Sequence, residues 1–234
     1  MTTALEVFSD LSEQLRYNLP DFPLYVRQGV LRQFDGYAAA CHWHPDLEFV
    51  SVLEGTMSYF VNGQIEVLSR GEGIFVNSQR LHYGFSAGVT DCAFDVVAVH
   101  PSLLSDSNSA MKPWLQEKFG LQAQDCLVLH PEPSWQADVL ETLRNVCRAM
   151  EEEPQPLLRA LALTALACAK TGERLEARSG SDTGDRAWMT VWKMRSFVHR
   201  NYGKDISLDD IAASGSEEAA RCCARPSALL RRSP

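Results

Sequence analysis

Several things are missing from this chain of 234 residues, and each absence removes a class of function. No apolar run approaches the roughly 20 residues that span a bilayer. The N-terminus, Met1-Thr-Thr-Ala-Leu-Glu-Val-Phe-Ser-Asp10, has neither a basic region nor a long apolar core, so it does not read as a secretion signal, and a cytoplasmic location is expected. The seven cysteines show no CxxC spacing and are odd in number, and Cys222 and Cys223 are adjacent. Reduced, buried thiols in a cytosolic protein account for them more simply than disulfides or a zinc ribbon. No Walker loop, GxGxxG or HExxH appears, so nucleotide binding has no motif to rest on. No internal repeat is visible.

Strong positive charge is also lacking. The formal net charge is −8. Residues 186–234 hold nine Lys/Arg against five Asp/Glu, a net of +4, and residues 1–185 carry the remaining −12. An acidic body with a mildly basic tail allows nucleic-acid binding by the tail alone.

The most informative stretch present is Gly36-Tyr-Ala-Ala-Ala-Cys-His42-Trp-His44-Pro-Asp-Leu-Glu48-Phe-Val-Ser-Val-Leu-Glu-Gly55. His42, His44 and Glu48 share parity, so on a strand all three project from one face. Two imidazoles and a carboxylate there suit a transition metal or hydrogen bonds to a polar small molecule. The glycines bracket the strand where turns or bulges are needed. Around it, from about 38 to 100, the signal is β. Thr56–Val61 and Gln64–Leu68 flank Asn62-Gly63, a strong hairpin turn; Gly71-Glu-Gly73 leads into Ile74–Val76, and Ala93–Val99 is a further apolar strand. Short strands at this spacing predict a barrel or jelly roll.

After Pro101 the pattern turns helical. Met111–Phe119 is predicted as one helix ended by Gly120. Trp135–Met150 has apolar residues at helical spacing, and Leu157–Thr171 is apolar on most sides and so expected to be buried. Residues 172–186 are polar and Gly/Ser-rich, a linker. Trp188–Tyr202 reads as an amphipathic helix stopped by Gly203. Ile206-Ser-Leu-Asp-Asp-Ile-Ala-Ala-Ser-Gly215 reads as a short helix with Ser207 as N-cap and Asp210 three residues on, a capping-box arrangement.

The spacing GX5HXHX3EX6G resembles the first motif of the cupin superfamily. A degraded second motif follows, with Gly71, Asn77, Gln79, His82 and Ser86 where that superfamily has Gly, Pro, Gly, His and Asn. The wording of both stretches resembles the effector domain of AraC-type transcriptional regulators, and 206–215 resembles the positioning helix and turn glycine of their DNA-binding domain. The resemblance covers about 20–100 and 186–215. It implies an α+β chain. Residues 1–171 would form a cupin effector-binding and dimerisation domain, with its motifs at 36–86 and its helices at about 135–171. Residues 172–186 would be the linker, and 187–234 an incomplete helix-turn-helix domain.

The resemblance also implies a small-molecule effector (by family habit a carbohydrate), a homodimer and DNA as partners, and no membrane. The expected pocket comprises His42, His44, Glu48, His82, Tyr59 and Phe75, with Tyr83 and Phe85 beside it. His42, His44, Glu48 and His82 are open to three readings: ligands of Zn, Fe, Ni or Mn; metal-free effector contacts; or hydrogen-bonded core. Ser207, Asp210, Ser214 and Gly215 mark the DNA-binding region. After Gly215 the resemblance stops. The Ala-, Arg-, Cys- and Pro-rich tail looks like out-of-frame translation of a GC-rich gene, Pro226 ends any helix, and DNA binding is expected to be defective. The rivals are a metal-dependent cupin oxygenase or isomerase, and a dimerising effector-binding protein that does not bind DNA.

Overall fold

The computed structural model describes residues 5–106, 108–177, Thr190, Met194, Phe197, Val198, Asn201 and 206–215. The chain divides into two compact units, Met1–Gly180 and Ser181–Pro234. The expected break in resemblance after Gly215 falls on 216–234, outside the described residues.

The first unit is built on seven antiparallel strands: β1 (Leu24–Val30), β2 (Leu47–Val61), β3 (Gln64–Ser69), β4 (Gly73–Val76), β5 (His82–Phe85), β6 (Cys92–Val99) and β7 (Cys126–Leu129). Helices α1 (Ser102–Ser105), α2 (Met111–Phe119), α3 (Ser134–Glu152) and α4 (Leu157–Gly172) complete it. This is the α+β architecture the sequence predicts.

β2 organises the sheet. Its first part pairs with β4 and β6, and its second part, from Thr56, pairs with β3 and β5. The change of partner follows a bulge between Val52 and Glu54 and the positive φ of Gly55 (+81°). A Cβ at Gly55 would stand 2.6 Å from the Asp91 carbonyl oxygen, so only glycine passes there. The predicted hairpin is present: Asn62 (φ +44°) and Gly63 (φ +96°) join β2 to β3.

Alternation along β2 divides the hydrophobic material into two cores. Leu47 and Phe49 face a layer made with Leu24, Phe75, Val97 and the α3 residues Val139, Leu140, Leu143 and Val146. Val50, Val52, Met57 and Tyr59 face the barrel interior with Leu31, Ile74, Val76 and Phe94. A strand buried on both faces loses the polar–apolar alternation of a half-exposed one, as the run Leu-Glu-Phe-Val-Ser-Val shows. Glu48 is the charged exception on the interior face.

Helix α4 corrects one expectation. It packs on α3 and buries Ala160, Thr164, Ala167, Cys168 and Thr171, but Leu157, Leu158 and Leu166 are 47%, 79% and 45% exposed. Its apolar circumference is not all covered within the chain.

In the second unit, the sequence-predicted capping box is formed at α5 (Leu208–Gly215). The Asp210 amide donates to Ser207 Oγ at 3.1 Å, and the Ser207 amide donates to Asp210 Oδ2 at 2.9 Å. Gly215 differs from the expected turn glycine: it ends the helix, buried, where a Cβ would lie 2.6 Å from Met194 Cε and 2.9 Å from Thr190 Cγ2. Its lack of a side chain allows helix-to-helix approach. Ser214 Oγ donates to the Ile211 carbonyl oxygen at 2.7 Å. Among the described residues no helix is long and apolar enough to cross a membrane.

Gln79 holds φ at +60° and is exposed. Gly occupies this position in the cupin pattern, and a side chain here pays for left-handed backbone with roughly 1–2 kcal/mol. Glycine loses more unfolded-state freedom, which offsets part of that gain. Gln79→Gly is therefore expected to raise stability by about 0.5–1 kcal/mol, read as a higher urea midpoint at unchanged slope; an unchanged or lower midpoint contradicts this.

Candidate functional site

The histidines are placed by a short bridged segment rather than by one continuous strand. β2 begins only at Leu47, after a bend at Pro45-Asp46. His42 pairs with His82 across an isolated antiparallel bridge: the His42 amide donates to the His82 carbonyl at 3.1 Å, and the His82 amide donates to that of His42 at 2.8 Å. Glu48 enters from β2 on the interior face. Side-chain ligand atoms of His42, His44, Glu48 and His82 all lie within 4.8 Å of one another, and all four residues are buried. The structure thus brings together the four residues that the motifs single out.

The imidazoles are oriented by the backbone. His42 Nδ1 stands 2.8 Å from the Ala40 carbonyl oxygen and His82 Nδ1 2.7 Å from that of Arg80. A carbonyl only accepts, so both Nδ1 atoms carry the proton and both Nε2 atoms turn toward the cluster. His44 Nε2 is 3.3 Å from Glu48 Oε2, and His82 Nε2 is 3.4 Å from Glu48 Oε1. Tyr59 donates its hydroxyl to Glu48 Oε1 at 2.5 Å. Buried His82 Nε2 has no hydrogen-bond partner, nor has His44 Nδ1, whose nearest carboxylate oxygen, Asp46 Oδ2, is 3.8 Å away.

Electrostatics follow from this packing. Burial pushes the Glu48 carboxyl up, but the imidazoles of His82 and His44 more than reverse it and hold the group well below the usual carboxylate range. Burial opposes protonation of His44, yet the Glu48 hydrogen bond and charge, with Asp46 and Glu13 behind, leave it above the ordinary imidazole value. Burial, reinforced by His82 and His44, lowers His42 to about 3, so this ring is neutral. Burial and Glu48 raise Tyr59 well above the ordinary phenol value.

A cavity of about 70 Å³ adjoins the cluster on the His42–Glu48 side. On the scale where one water takes about 10–15 Å³, it has room for roughly five waters. Its polar lining is Glu13, Tyr25, Arg27, Gln33, His42, Glu48 and Tyr59, and Leu31, Met57, Phe94 and Val96 are among its apolar wall.

Three expected neighbours lie elsewhere. Phe75 is not in the pocket: it alternates to the helix-facing side of β4, where it packs on Phe49 and Phe119 at centroid distances of 5.0 and 5.6 Å. Tyr83 and Phe85 stack on each other at 5.1 Å and do not line the cavity. Trp43 turns away from the cluster as parity requires, half-buried, its Nε1 donating to the Asp10 carbonyl oxygen at 3.1 Å.

Residues without a motif signal also contribute. Glu13 is buried with its Oε2 3.1 Å from His42 Nε2, and Tyr17 donates to Asp46 Oδ1 at 2.9 Å. Both stand on a segment tied across Trp43: the Trp43 amide donates to the Leu11 carbonyl oxygen, and the Glu13 amide to that of Trp43, each at 2.9 Å. Asn77, in the motif's proline position, uses the amide that proline lacks: its N–H donates to the Asp125 carbonyl at 2.9 Å, and its Nδ2 donates to that of Gln124. One string, Gly84-Phe-Ser86-Ala-Gly88, has the Gly-x-Ser-x-Gly spacing of serine hydrolases. Here it ends a strand and enters a turn rather than a helix, and Ser86 Oγ is engaged by Thr90 Oγ1 and the Thr90 amide at 3.0 Å each. Cys126, Cys147 and Cys168 are free and buried, and burial raises each thiol to about 12, so none is a ready nucleophile.

The donor set fits a divalent metal. Nitrogen and oxygen donors sit about 2.0–2.2 Å from a zinc ion. Two donors of one such ion therefore stand roughly 3.0–3.5 Å apart, as the contacts of Glu48 with His44 and His82 do. Nδ1–H bonds to carbonyls are the usual outer support of ligating imidazoles. Buried His82 Nε2 has no hydrogen-bond partner, so no group in the chain competes with a metal ion for it. His42, His44, Glu48 and His82 would hold the ion, which when bound supplies a positive centre for an oxygen donor in the adjoining cavity.

Residues 35–99 match the family described as cupin domain. Across 230 residues the chain is 21% identical to an uncharacterized HTH-type transcriptional regulator, YdeC, of Bacillus subtilis (strain 168), covering 96% of this chain and 77% of that protein. Among solved structures it is similar to ToxT from Vibrio cholerae, with 12% identity, coverage of 80% of this chain and 69% of that one, and a TM-score of 0.43. It is also similar to an RmlC-like cupin from Shewanella frigidimarina NCIMB 400, with 24% identity, coverage of 33% and 67%, and a TM-score of 0.30. Over residues 35–99 the barrel matches the cupin domain, and the chain that carries it is similar along most of its length to an HTH-type regulator.

Proposed function

We propose that this chain is a transcriptional regulator of the AraC type: its cupin barrel binds a small polar effector, and its C-terminal unit contacts DNA only weakly, because the family-like sequence stops at Gly215. The observation that carries this reading is the pairing of features in one chain. A buried four-residue ligand cluster beside a cavity lies in the first unit, and a capped helix seated on Thr190 and Met194 lies in the second. Similarity to an HTH-type regulator over nearly the whole chain supports joining the two. The barrel then acts as a sensor. Its imidazoles and Glu48 hold the effector, directly or through a metal ion, while Tyr59 fixes the Glu48 carboxylate and the apolar wall excludes bulk water.

DNA affinity is the test. A fragment selected from a random DNA pool should bind with log K falling linearly as log salt rises, the mark of phosphate contacts. A slope near zero, or no selectable fragment, contradicts the reading.

A homodimer through α4 belongs to the same proposal. Leu158 and Leu166 are two turns apart on one side of the helix and exposed, with exposed Ala162 between them. Such a stripe is the pattern of a helix that buries its face against a partner. Leu158→Glu combined with Leu166→Glu is expected to weaken self-association at least tenfold, seen by light scattering as a shift from dimer to monomer mass at micromolar concentration. An unchanged mass distribution contradicts α4 as the contact.

A further inference from the structure

The two cupin motifs account for four buried ligand atoms, but the cluster has a fifth neighbour that neither motif contains. Glu13 comes from the N-terminal segment, and its Oε2 faces His42 Nε2 at 3.1 Å. Because His42 Nδ1 is bound to the Ala40 carbonyl, a neutral His42 presents a lone pair at Nε2. A carboxylate oxygen and an imidazole lone pair do not attract each other unaided. At hydrogen-bond distance in a buried site, a cation must lie between them, either a proton or a metal ion. The separation equals that of two donors on one metal ion, and both partners are less than a tenth exposed.

We propose that Glu13 is a further ligand of the metal centre, a carboxylate supplied from outside the cupin motifs that ties the N-terminal segment to the barrel. This rests on the metal reading of His42, His44, Glu48 and His82. The segment is already held in register by backbone hydrogen bonds to Trp43, so little rearrangement is needed to present Glu13.

Titration of the full chain with Co²⁺, followed by visible absorption and equilibrium dialysis, tests it. The wild-type chain should bind one Co²⁺ with the weak visible band of a five- or six-coordinate ion. Glu13→Gln should lower the affinity about tenfold or more and strengthen the band as the coordination number falls. Wild-type affinity and spectrum in Glu13→Gln, with binding abolished by His44→Ala, overturn the role of Glu13 and leave the four-residue centre standing. Absence of Co²⁺ binding by the wild-type chain overturns both. Should Glu13→Gln fail to fold by thermal melting, Glu13→Asp keeps the charge and withdraws it by one methylene. An intermediate affinity then supports the proposal, and an undiminished one overturns it.

Discussion

Replacing Arg80 by methionine is expected to cost about 3–5 kcal/mol of folding stability, the range seen when one partner of a buried ionic network is removed. Arg80 is 2% exposed, the largest fully buried side chain of the described residues. Its Nε donates to Asp125 Oδ1 at 2.6 Å, and its Nη1 to the Ser78 carbonyl oxygen at 2.8 Å. Its Nη2 lies 2.9, 3.2 and 3.3 Å from the carbonyl oxygens of Ala123, Leu121 and Gly120. A planar fork of donors serves a whole loop that has little regular structure of its own. Methionine fills the volume but leaves the buried Ala123 carbonyl oxygen without its donor, a desolvation penalty of about 1–3 kcal/mol, and removes the donor from the part-buried oxygens of Asp125, Ser78, Gly120 and Leu121 as well. Arg80→Lys keeps the charge and loses the fork, so it should fall between the two. Urea unfolding measures the series; a loss under about 1 kcal/mol for the methionine variant contradicts the account. Arg80 also bears on the site, because its carbonyl oxygen fixes His82 Nδ1.

The second large effect is expected at His82 itself. His82→Ala should lower zinc affinity at least about 100-fold, because a ligating imidazole is lost rather than one of its supports. Stability makes the loss measurable. Zinc at 1,000 times its wild-type Kd stabilises by about 4.1 kcal/mol; after a 100-fold loss of affinity the same zinc gives about 1.4 kcal/mol. Without metal, the variant also loses the His82 Nδ1 hydrogen bond to the Arg80 carbonyl oxygen, so the zinc-dependent increment of each protein, not its absolute stability, is the quantity compared. Metal binding should also release protons, because His44 carries a raised value from its contact with Glu48 and must give up its proton to ligate. Zinc affinity should therefore weaken as pH falls. Equal zinc stabilisation of wild type and variant contradicts the metal reading.

The site was legible where side-chain spacing reports directly on geometry. His42, His44 and Glu48 announce themselves by parity, and His82 by its distance from Gly71, because short strands carry that spacing into space. The hairpin at Asn62-Gly63 and the capping box at Ser207 and Asp210 were legible for the same reason: each is a local interaction written within four residues. What the sequence hid was non-local. β1 and β7 carry few turn signals of their own and become strands by pairing with β6 and β4. Phe75 was misplaced because an apolar strand buried on both faces gives no sign of which face holds the ligand. Glu13 reaches the site through a segment far from either motif, and a lone glutamate among polar residues has no periodicity to mark it. The exposed leucines of α4 show the limit of hydrophobicity as a guide: an apolar helix predicts a covered surface, not what covers it.

The most direct test of the central claim, that the barrel cluster governs a DNA-binding chain, is one affinity measured four ways. A DNA fragment selected by the wild-type chain is titrated, at fixed salt, with wild type and with His44→Ala, each with and without Zn²⁺. The account predicts that Zn²⁺ changes the wild-type affinity by at least about fivefold, the low end of ordinary coupling between sites, and leaves His44→Ala unmoved. The same affinity in all four titrations, or an equal response in both proteins, contradicts it.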